Sequence, residues 1–276
     1  PGLAQLEALT GVPVTGVVPW MELDVDDEDS LAPRLGRTAA PAAVDVAVIR
    51  LPHISNFTDF SPLEQQPGLG VRYVAHPRTL GEPDLVILPG TKNTLGDLAW
   101  LRQCGMEAAL LKLAGRSTPI LGVCGGYQML GRTLADPYGV EKLGVLSGLG
   151  LLPCETAFSA QKTRTRVTAE VTAPLFSGAK LDGYEIHMGT SVLAEGAAPF
   201  LRLSDGREDG CVSDDGLACG TYLHGIFDEG ETAERLLTWL RQKKGIRLEA
   251  PELSRTQIKE QEYDRLADLL RRSVDM

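Results

Sequence analysis

Four apolar runs set the pattern of the chain between residues 44 and 124. They lack the alternation of apolar and polar positions expected of a sheet with one solvated face, which indicates parallel strands covered on both faces. A stretch long enough for a crossover helix, with a break expected at Gly105, separates the third run from the fourth. This alternation predicts an α/β fold with a doubly wound, mostly parallel sheet and flanking helices. The runs are VDVAVIRLP (44–52), GVRYVAHP (70–77), PDLVILPG (83–90) and PILGVC (119–124).

Shorter strands follow between residues 150 and 225 and predict a smaller mixed or antiparallel strand region. The segment SDDG (213–216) predicts a hairpin turn between the strands on either side of it. Residues 232–245 have helical apolar spacing and end on a basic turn and a glycine, as a helix end requires. Residues 254–274 predict a second, amphipathic helix.

The start of the chain differs in composition from its middle. Residues 11–20 alternate like a strand, and residues 22–43 are first acidic and then rich in proline and alanine, which predicts a loop and linker. We therefore divide the chain into residues 1–43, a main domain at 44–246, and a helical tail at 247–276. Because the sequence opens at Pro1 in what reads as the middle of a domain, we expect it to be part of a larger protein.

The composition of the chain argues against several classes of function. The chain has 27 Lys and Arg against 37 Asp and Glu, a formal charge of −10 that disfavours a general attraction to nucleic acid or anionic membranes. No run approaches the roughly 18 apolar residues of a membrane span, so we expect a cytoplasmic protein. The five cysteines include no CxxC pair, which argues against a zinc ribbon and a disulfide framework, and we expect no metal.

Cys124 lies where the fourth apolar run passes into a helical pattern. Gly122 and Gly126 flank it with the spacing of a nucleophile elbow, a turn so sharp that a side chain at either glycine would collide. In such a turn the thiol stands exposed at the edge of the sheet. The sequence therefore predicts a nucleophilic cysteine.

A thiol nucleophile needs a histidine to take its proton, and the chain has four histidines. His224, at the end of an apolar strand and beside a glycine, is the best candidate, although a hydrogen-bonded core histidine would give the same pattern. His53 also follows a strand but nothing else marks it as a base. His76 precedes a proline and is expected at the surface.

Attack on an amide carbonyl creates an oxyanion that backbone N–H groups must meet. Gly125, directly after the nucleophile, supplies one such N–H in an elbow. Gly90, at the end of the third apolar run, is expected in a second oxyanion loop, with Thr94 or Asn93 capping the next helix. A plain turn at Gly90 is the alternative.

Several segments together resemble the glutamine amidotransferase domain of the cobyric acid synthase family, a class I, triad-type fold. The resemblance covers nearly the whole chain and implies that Cys124 is the nucleophile and His224 the base. It further implies a parent enzyme that amidates side-chain carboxylates of adenosylcobyrinic acid a,c-diamide in cobalamin biosynthesis, using ATP and ammonia from glutamine. The segments are LPGTKNT (88–94), GVCGGYQMLG (122–131), KTRTRV (162–167), GYEIHMG (183–189) and YLHGIF (222–227), with GVVPWMELDVDDEDSL (16–31) resembling the end of the family's synthetase domain.

The chain departs from most class I glutaminases at Ile226, where a glutamate that holds the histidine is usual. The resemblance implies the same absence in the cobyric acid synthase branch. Glu185 and His187 share one face of a predicted strand, so they are candidates to orient His224 or to hold the α-amino or carboxylate group of the substrate. A polar pair across strands is the alternative. Gln128 is assigned to the substrate site with them.

The chain has no GxxxxGK[ST] phosphate loop. We therefore expect no cofactor in these residues, and we expect ATP and Mg²⁺ in a synthetase domain outside them. The expected partners are glutamine and, through that domain, the corrinoid substrate, but neither nucleic acid nor a membrane. Other hypotheses are a glutaminase subunit of a related synthase of the lipid II isoglutaminyl type, a cysteine peptidase or related hydrolase, and a non-catalytic regulatory domain.

Overall fold

The computed structural model describes residues 2–21, 42–142, 144–228, 231–246 and 255–274. These residues fall into two compact units. One unit takes its residues from before position 28 and after position 251, and it contains the helices α1 (Gly2–Thr10) and α7 (Arg255–Ser273) and an antiparallel bridge between Gly16 and Val274. The other unit contains all the remaining helices and strands.

A six-stranded sheet, in the order β11-β12-β4-β3-β1-β2, forms the centre of the larger unit. Its strands pair in parallel except β11, which pairs antiparallel with β12. The strands β1, β3 and β4 are almost entirely buried, as a sheet covered on both faces requires. The bounds are β1 Val44–Ile49, β2 Leu69–Val74, β3 Leu85–Leu88, β4 Ile120–Val123, β11 Cys211–Val212 and β12 Ala218–Thr221.

Helices flank this sheet. Between β3 and β4 the crossover is split by Gly105, whose φ of 80° ends one helix and starts the next, as the sequence predicts. Gly245, with φ of 71°, ends α6. The helices are α2 Ser61–Glu64, α3 Thr94–Gln103, α4 Met106–Ala114, α5 Gly125–Leu130 and α6 Thr232–Lys244, with 3₁₀ turns at Phe57–Phe60, Pro77–Thr79 and Pro174–Phe176.

A second, mixed sheet is built around a long antiparallel pair, β7 and β8. Strands β5, β6, β9 and β10 extend it, and β13 pairs with β8. The segment from β12 to β13 therefore runs from the parallel sheet into the mixed sheet. The bounds are β5 Thr133–Asp136, β6 Gly144–Ser147, β7 Cys154–Val171, β8 Lys180–Leu193, β9 Leu201–Leu203, β10 Glu208–Asp209 and β13 Leu223–His224.

The predicted fold class is confirmed, with a mostly parallel sheet, flanking helices and a mixed strand region. The hairpin across SDDG is confirmed as β11 and β12. The strand predicted at 11–20 is wrong, because those residues contain a single isolated bridge, at Gly16. Most of the predicted linker at 22–43, and residues 247–254, lie outside the described residues. Among the described residues, no helix is both long and apolar enough to span a membrane.

Gly126→Ala tests how tightly α5 packs on the sheet. A Cβ at Gly126 would lie 1.8 Å from the carbonyl oxygen of Leu88 and 2.8 Å from that of Pro89, so β3 and α5 must separate to admit it. We expect the free energy of unfolding to fall by at least about 1–3 kcal/mol, the usual cost of overpacking. Denaturant unfolding measures the change.

The matched control is Gly115→Ala. Gly115 has φ of −63°, and a Cβ there would lie 3.4 Å from the carbonyl oxygen of Leu111, an ordinary contact. This variant should unfold at nearly the same denaturant concentration as the parent chain. Equal stabilities for the two variants would show that α5 does not pack on β3 as closely as described.

Candidate active site

Cys124 stands at the turn between β4 and α5. Its φ of 52° and ψ of −111° lie in a region that side chains rarely adopt, and its N–H donates to the carbonyl oxygen of Thr221 at 2.8 Å. The Sγ atom lies 3.7 Å from the carbonyl oxygen of Ile186, and 9% of the residue is exposed. The thiol therefore reaches a cavity from a rigid, strained turn, as in a nucleophile elbow.

His224 is buried beside this turn and is held by a carboxylate that the sequence did not point to. Its Nδ1 lies 2.6 Å from Oδ2 of Asp59, and the other oxygen of Asp59 accepts the N–H of Gly225 at 3.1 Å. Asp59 lies in the 3₁₀ turn Phe57–Phe60 that follows β1, and it is itself 3% exposed. Asp59 thus fixes the position of the His224 ring.

The surroundings of His224 make it a strong base. Burial alone lowers its pKa, but the charge and hydrogen bond of Asp59, together with side-chain interactions with Cys124, outweigh burial and raise the pKa to about 10. An imidazole with this pKa readily accepts the proton of a thiol. Its ring also stacks on Tyr184, with centroids 5.3 Å apart and planes 22° apart.

The structure corrects the expectation that Glu185 orients His224. Along β8 successive side chains point to opposite faces, and Tyr184 is the residue that lies opposite His224 in the strand register. Glu185 lies opposite Leu223 instead, and its carboxylate has other partners. Its two oxygens accept bonds from the Arg207 guanidinium at 3.3 and 3.0 Å, and Nε2 of His187 lies 4.0 Å from it.

The loop after β3 is braced on its outer side. Asp97, fully buried, accepts the backbone N–H of His53 at 3.2 Å, lies 2.7 Å from the His53 ring and accepts the Thr91 hydroxyl at 2.5 Å. The carbonyl of His53 in turn accepts the N–H of Lys92 at 3.0 Å. His53 therefore supports the loop through its bonds to Asp97.

Two glycines of the active site have little room for a side chain. A Cβ at Gly90 would lie 3.1 Å from Cε1 of His224, and one at Gly125 would lie 2.7 Å from the side chain of Thr91. Gly125 is the first residue of α5, so its N–H has no acceptor within the helix. Among the described residues, the N–H groups of Gly90 and Thr91 also have no hydrogen-bond acceptor.

A cavity of about 310 Å³ opens beside Cys124 and His224. Gln128, 2% exposed, lines it with its side chain bonded to the Thr94 hydroxyl at 3.3 Å and the Met188 carbonyl at 3.2 Å. His187 also lines it, and its ring stacks on Tyr222 with centroids 3.8 Å apart. Burial lowers the pKa of His187. A cavity of this size suits a ligand no larger than a small metabolite.

The remaining predicted residues lie elsewhere or serve the fold. His76 is exposed and caps a 3₁₀ turn by accepting the N–H of Arg78 at 3.2 Å. Within the described ranges, no group of three His, Cys, Asp or Glu side chains could hold a metal ion. All five cysteines are free.

Asp59 was missed because no local pattern distinguishes it. Its neighbourhood, NFTDF, gave one signal, an acidic residue between two aromatic residues just after a buried strand. In the structure Phe57 and Phe60 are both buried, and Asp59 between them is buried as well. The partner of that carboxylate lies 165 residues further along the chain, beyond the reach of any sequence motif.

A cysteine elbow, a buried histidine held by a carboxylate, and a small cavity at the end of a parallel sheet define a cysteine-dependent amide-cleaving site. The profile of the CobB/CobQ-like glutamine amidotransferase domain matches residues 45–232. The chain belongs to this family.

Two curated relatives extend the comparison. The chain is 47% identical to a cobyric acid synthase of Klebsiella pneumoniae (strain 342) over 99% of its own length and 56% of that protein. It is also 47% identical to a cobyric acid synthase of Yersinia enterocolitica serotype O:8, over 100% of its own length and 57% of that protein. The chain thus spans a little over half the length of these relatives.

Solved structures show the same fold at low sequence identity. PurLQS from Thermotoga maritima matches with a TM-score of 0.57 and 20% identity, covering 73% of this chain and 99% of that one. A crystal structure of a glutamine amidotransferase matches with a TM-score of 0.54, 20% identity and the same coverage. These two similarities show that the chain shares its fold with these structures.

Asp59→Asn tests which carboxylate holds His224. With the charge of Asp59 removed, the largest of the interactions that raise this pKa is lost, and the pKa of His224 should fall from about 10 toward its ordinary 6.5, as measured by NMR titration of the ring protons. Glu185→Gln is the matched control and should leave the titration of His224 unchanged. If the pKa of His224 shifted more in the Glu185 variant than in the Asp59 variant, Glu185 and not Asp59 would be the residue that orients His224.

The ion pair between Asp59 and His224 also makes the free energy of unfolding depend on pH. Because the pKa of His224 is raised above its ordinary 6.5, protonation of the ring stabilises the fold fully below pH 6.5, and this stabilisation is lost as the pH rises through about 10. The free energy of unfolding of Asp59→Asn should therefore approach that of the parent chain between these pH values. A constant difference across this range would contradict a protonated His224.

Proposed function

We propose that this chain is the glutamine-hydrolysing part of a cobyric acid synthase, an enzyme that amidates carboxylates of adenosylcobyrinic acid a,c-diamide in cobalamin biosynthesis. The observation that carries the proposal is the placement of Cys124 on a strained turn, facing the same cavity as a His224 ring held by Asp59. The 47% identity to proteins named cobyric acid synthase supports the choice of the acceptor.

The first chemical step joins Cys124 to glutamine. Before the attack the thiol proton of Cys124 is already on His224, which leaves a thiolate beside a protonated ring, and the sulfur attacks the side-chain amide carbon of glutamine to give a tetrahedral intermediate. The raised pKa of His224 and its fixed hydrogen bond to Asp59 suit it to take that proton and to hold it in the right direction. His224 then gives the proton to the amide nitrogen, the C–N bond breaks, and ammonia leaves a glutamyl thioester on Cys124.

The negative oxygen of the intermediate needs donors that are already in place. The N–H of Gly125 follows the nucleophile directly, and the N–H groups of Gly90 and Thr91 lie across from it with no other acceptor among the described residues. We assign the oxyanion site to Gly125 and this loop. The brace formed by Asp97 and His53 holds the loop in its conformation.

Water completes the reaction. His224 accepts a proton from a water molecule, the resulting hydroxide attacks the thioester carbonyl, and the C–S bond breaks to give glutamate and the Cys124 thiolate, with the proton from water remaining on His224. Gln128, His187 and Glu185 were predicted to contact the substrate. Gln128 and His187 line the cavity and retain that assignment, whereas Glu185 is proposed to support β8 through Arg207.

Ammonia is then consumed outside this chain. The relatives are nearly twice as long, and we propose that a synthetase domain in the parent protein binds ATP, Mg²⁺ and the corrinoid and forms the new amide. The partners of this chain are accordingly glutamine and that domain. The proposal places the reaction in the cytoplasm, and the five free cysteines are consistent with a reducing compartment.

Cys124→Ala tests this division of labour in the full-length enzyme. Amidation with glutamine should be lost, because no thioester can form, while amidation with added ammonium salts should continue at close to the parent rate. Cys104→Ala is the matched control, since Cys104 lies between α3 and α4, away from the cavity, and should retain both activities. Equal loss of both nitrogen sources in a folded Cys124 variant would contradict the proposal.

A further inference from the structure

The His224 ring is held at one edge by Asp59, and that single contact does not fix the plane of the ring. Oδ2 of Asp59 lies 2.6 Å from Nδ1 of His224. A hydrogen bond at one ring atom fixes the position of that atom but lets the ring tilt about it. The other nitrogen, Nε2, is left to interact with Cys124, and a tilt would move it away from the sulfur. A second contact is needed to fix the plane.

Tyr184 makes that second contact. Its ring stacks on the ring of His224, with centroids 5.3 Å apart and planes 22° apart. The pairing of β8 with β13 brings the two residues together, because Tyr184 lies directly opposite His224 in the register and residues in opposite positions share one face of a sheet. The imidazole therefore lies against an aromatic surface whose place is set by the backbone of the sheet.

The Tyr184 ring is itself held by a hydrogen bond. It is half-buried and lines a second cavity, of about 520 Å³, so packing alone leaves it room to turn. Nδ2 of Asn56 donates to the Tyr184 hydroxyl at 2.9 Å. Asn56 has φ of 52° and ψ of 34°, the left-handed conformation that asparagine adopts more readily than most residues. The bond from Asn56 therefore fixes the Tyr184 ring.

One short segment of the chain thus controls both contacts on His224. Asn56 directly precedes the 3₁₀ turn Phe57–Phe60, and Asp59 lies within that turn. Asp59 holds the edge of the His224 ring directly, whereas Asn56 holds Tyr184, which lies against the face of that ring. The edge and the face of the imidazole are therefore positioned relative to the same stretch of backbone.

We propose that Tyr184 is a positioning residue for the base: its ring, fixed by Asn56, keeps the plane of His224 in the orientation that lets Nε2 exchange a proton with Cys124. This inference rests on the proposed glutamine hydrolysis. Tyr184 lines the second cavity rather than the one beside Cys124, so it acts on the reaction through His224.

The stack also suits the charged form of the imidazole. A protonated ring over the face of an aromatic side chain gains a cation–π attraction. Burial, together with the charge of Asp59, raises the pKa of Tyr184 to about 12, so the phenol stays neutral at the pH values at which His224 is protonated. Tyr184 therefore stabilises the protonated base without exchanging a proton with it.

A residue that only packs β8 would give different results from one that positions His224. Loss of packing lowers the free energy of unfolding, whereas loss of positioning slows the step that uses His224 in molecules that are fully folded. Tyr184→Leu removes the aromatic face, and Tyr184→Phe keeps the face but removes the bond from Asn56. Asn56→Gly removes the same bond and tolerates the φ of 52°. Leu181→Val is the control, because it shortens a buried core side chain of the same strand.

The experiment follows thioester formation at Cys124 in the 276-residue chain at saturating glutamine, by rapid quenching and mass spectrometry. Tyr184→Leu should slow this step by roughly 10-fold or more, the scale on which a small displacement of a reacting group acts. Tyr184→Phe should recover most of the rate, and Asn56→Gly should match it. Combining these two changes should slow the step no further, because both remove one hydrogen bond. Leu181→Val should lower stability and keep the parent rate.

Two further measurements separate positioning from binding. Glutamine binding, measured by calorimetry in chains that also carry Cys124→Ala, should be the same with Tyr184→Leu as without it. The pKa of His224, measured by NMR titration, should fall by about half a pH unit in Tyr184→Leu because the cation–π contact is lost. In Tyr184→Phe and Leu181→Val it should stay at about 10.

An unchanged rate in Tyr184→Leu, or equal slowing in Leu181→Val, would overturn the proposal. A loss of glutamine binding that accounted for the whole loss of rate would also overturn it. The titration needs no glutamine, so it separates this question from the proposed function. If the parent chain formed no thioester, the proposed hydrolysis would fail, while a lowered pKa of His224 in Tyr184→Leu would retain the role of Tyr184 and an unchanged or raised one would reject it.

Discussion

Cys124 holds a positive φ of 52° between β4 and α5, and the whole site depends on the packing that keeps it there. Close approaches on both sides of the turn leave no room for relaxation: a Cβ at Gly122 would lie 2.7 Å from the backbone of Tyr127, and one at Gly220 would lie 2.5 Å from the Tyr127 ring. The backbone N–H of Cys124 is fixed to Thr221 on the neighbouring strand. Because the sheet, the helix and the adjacent strand all restrain the turn, the strain is borne by the fold and the sulfur stays at the carboxyl edge of the sheet.

The same edge gathers groups that are far apart along the chain. The strand that fixes Cys124, β12, continues through Tyr222 into β13, and this short passage between the two sheets brings His224 to the thiol. The loop after β1 then brings Asp59 to the far side of the His224 ring. A carboxylate from the 3₁₀ turn after β1 thus replaces the glutamate that Ile226 cannot provide, and Ile226, fully buried, is free to pack in the core.

The nucleophile and the base could be predicted from the sequence because their signals are local. Gly122, Cys124 and Gly126 fall within five consecutive residues, and the chain geometry they imply is short-range. The partner of His224 could not be predicted in the same way. Choosing Glu185 relied on its nearness to His187 on one strand face, but which face of β8 meets His224 depends on a strand register set by the pairing of distant segments. In the structure, Tyr184 is the residue of β8 that lies opposite His224.

The central claim, that Cys124 attacks glutamine with His224 as its base, is tested most directly by trapping the covalent intermediate. The chain is mixed with glutamine, quenched in acid within milliseconds to seconds, digested and analysed by mass spectrometry. We expect a glutamyl adduct on the peptide that contains Cys124, formed much more slowly in His224→Asn, with Cys104, Cys154, Cys211 and Cys219 unmodified. Glutamate produced without any adduct at Cys124, or an adduct on another cysteine that forms at the rate of turnover, would contradict it.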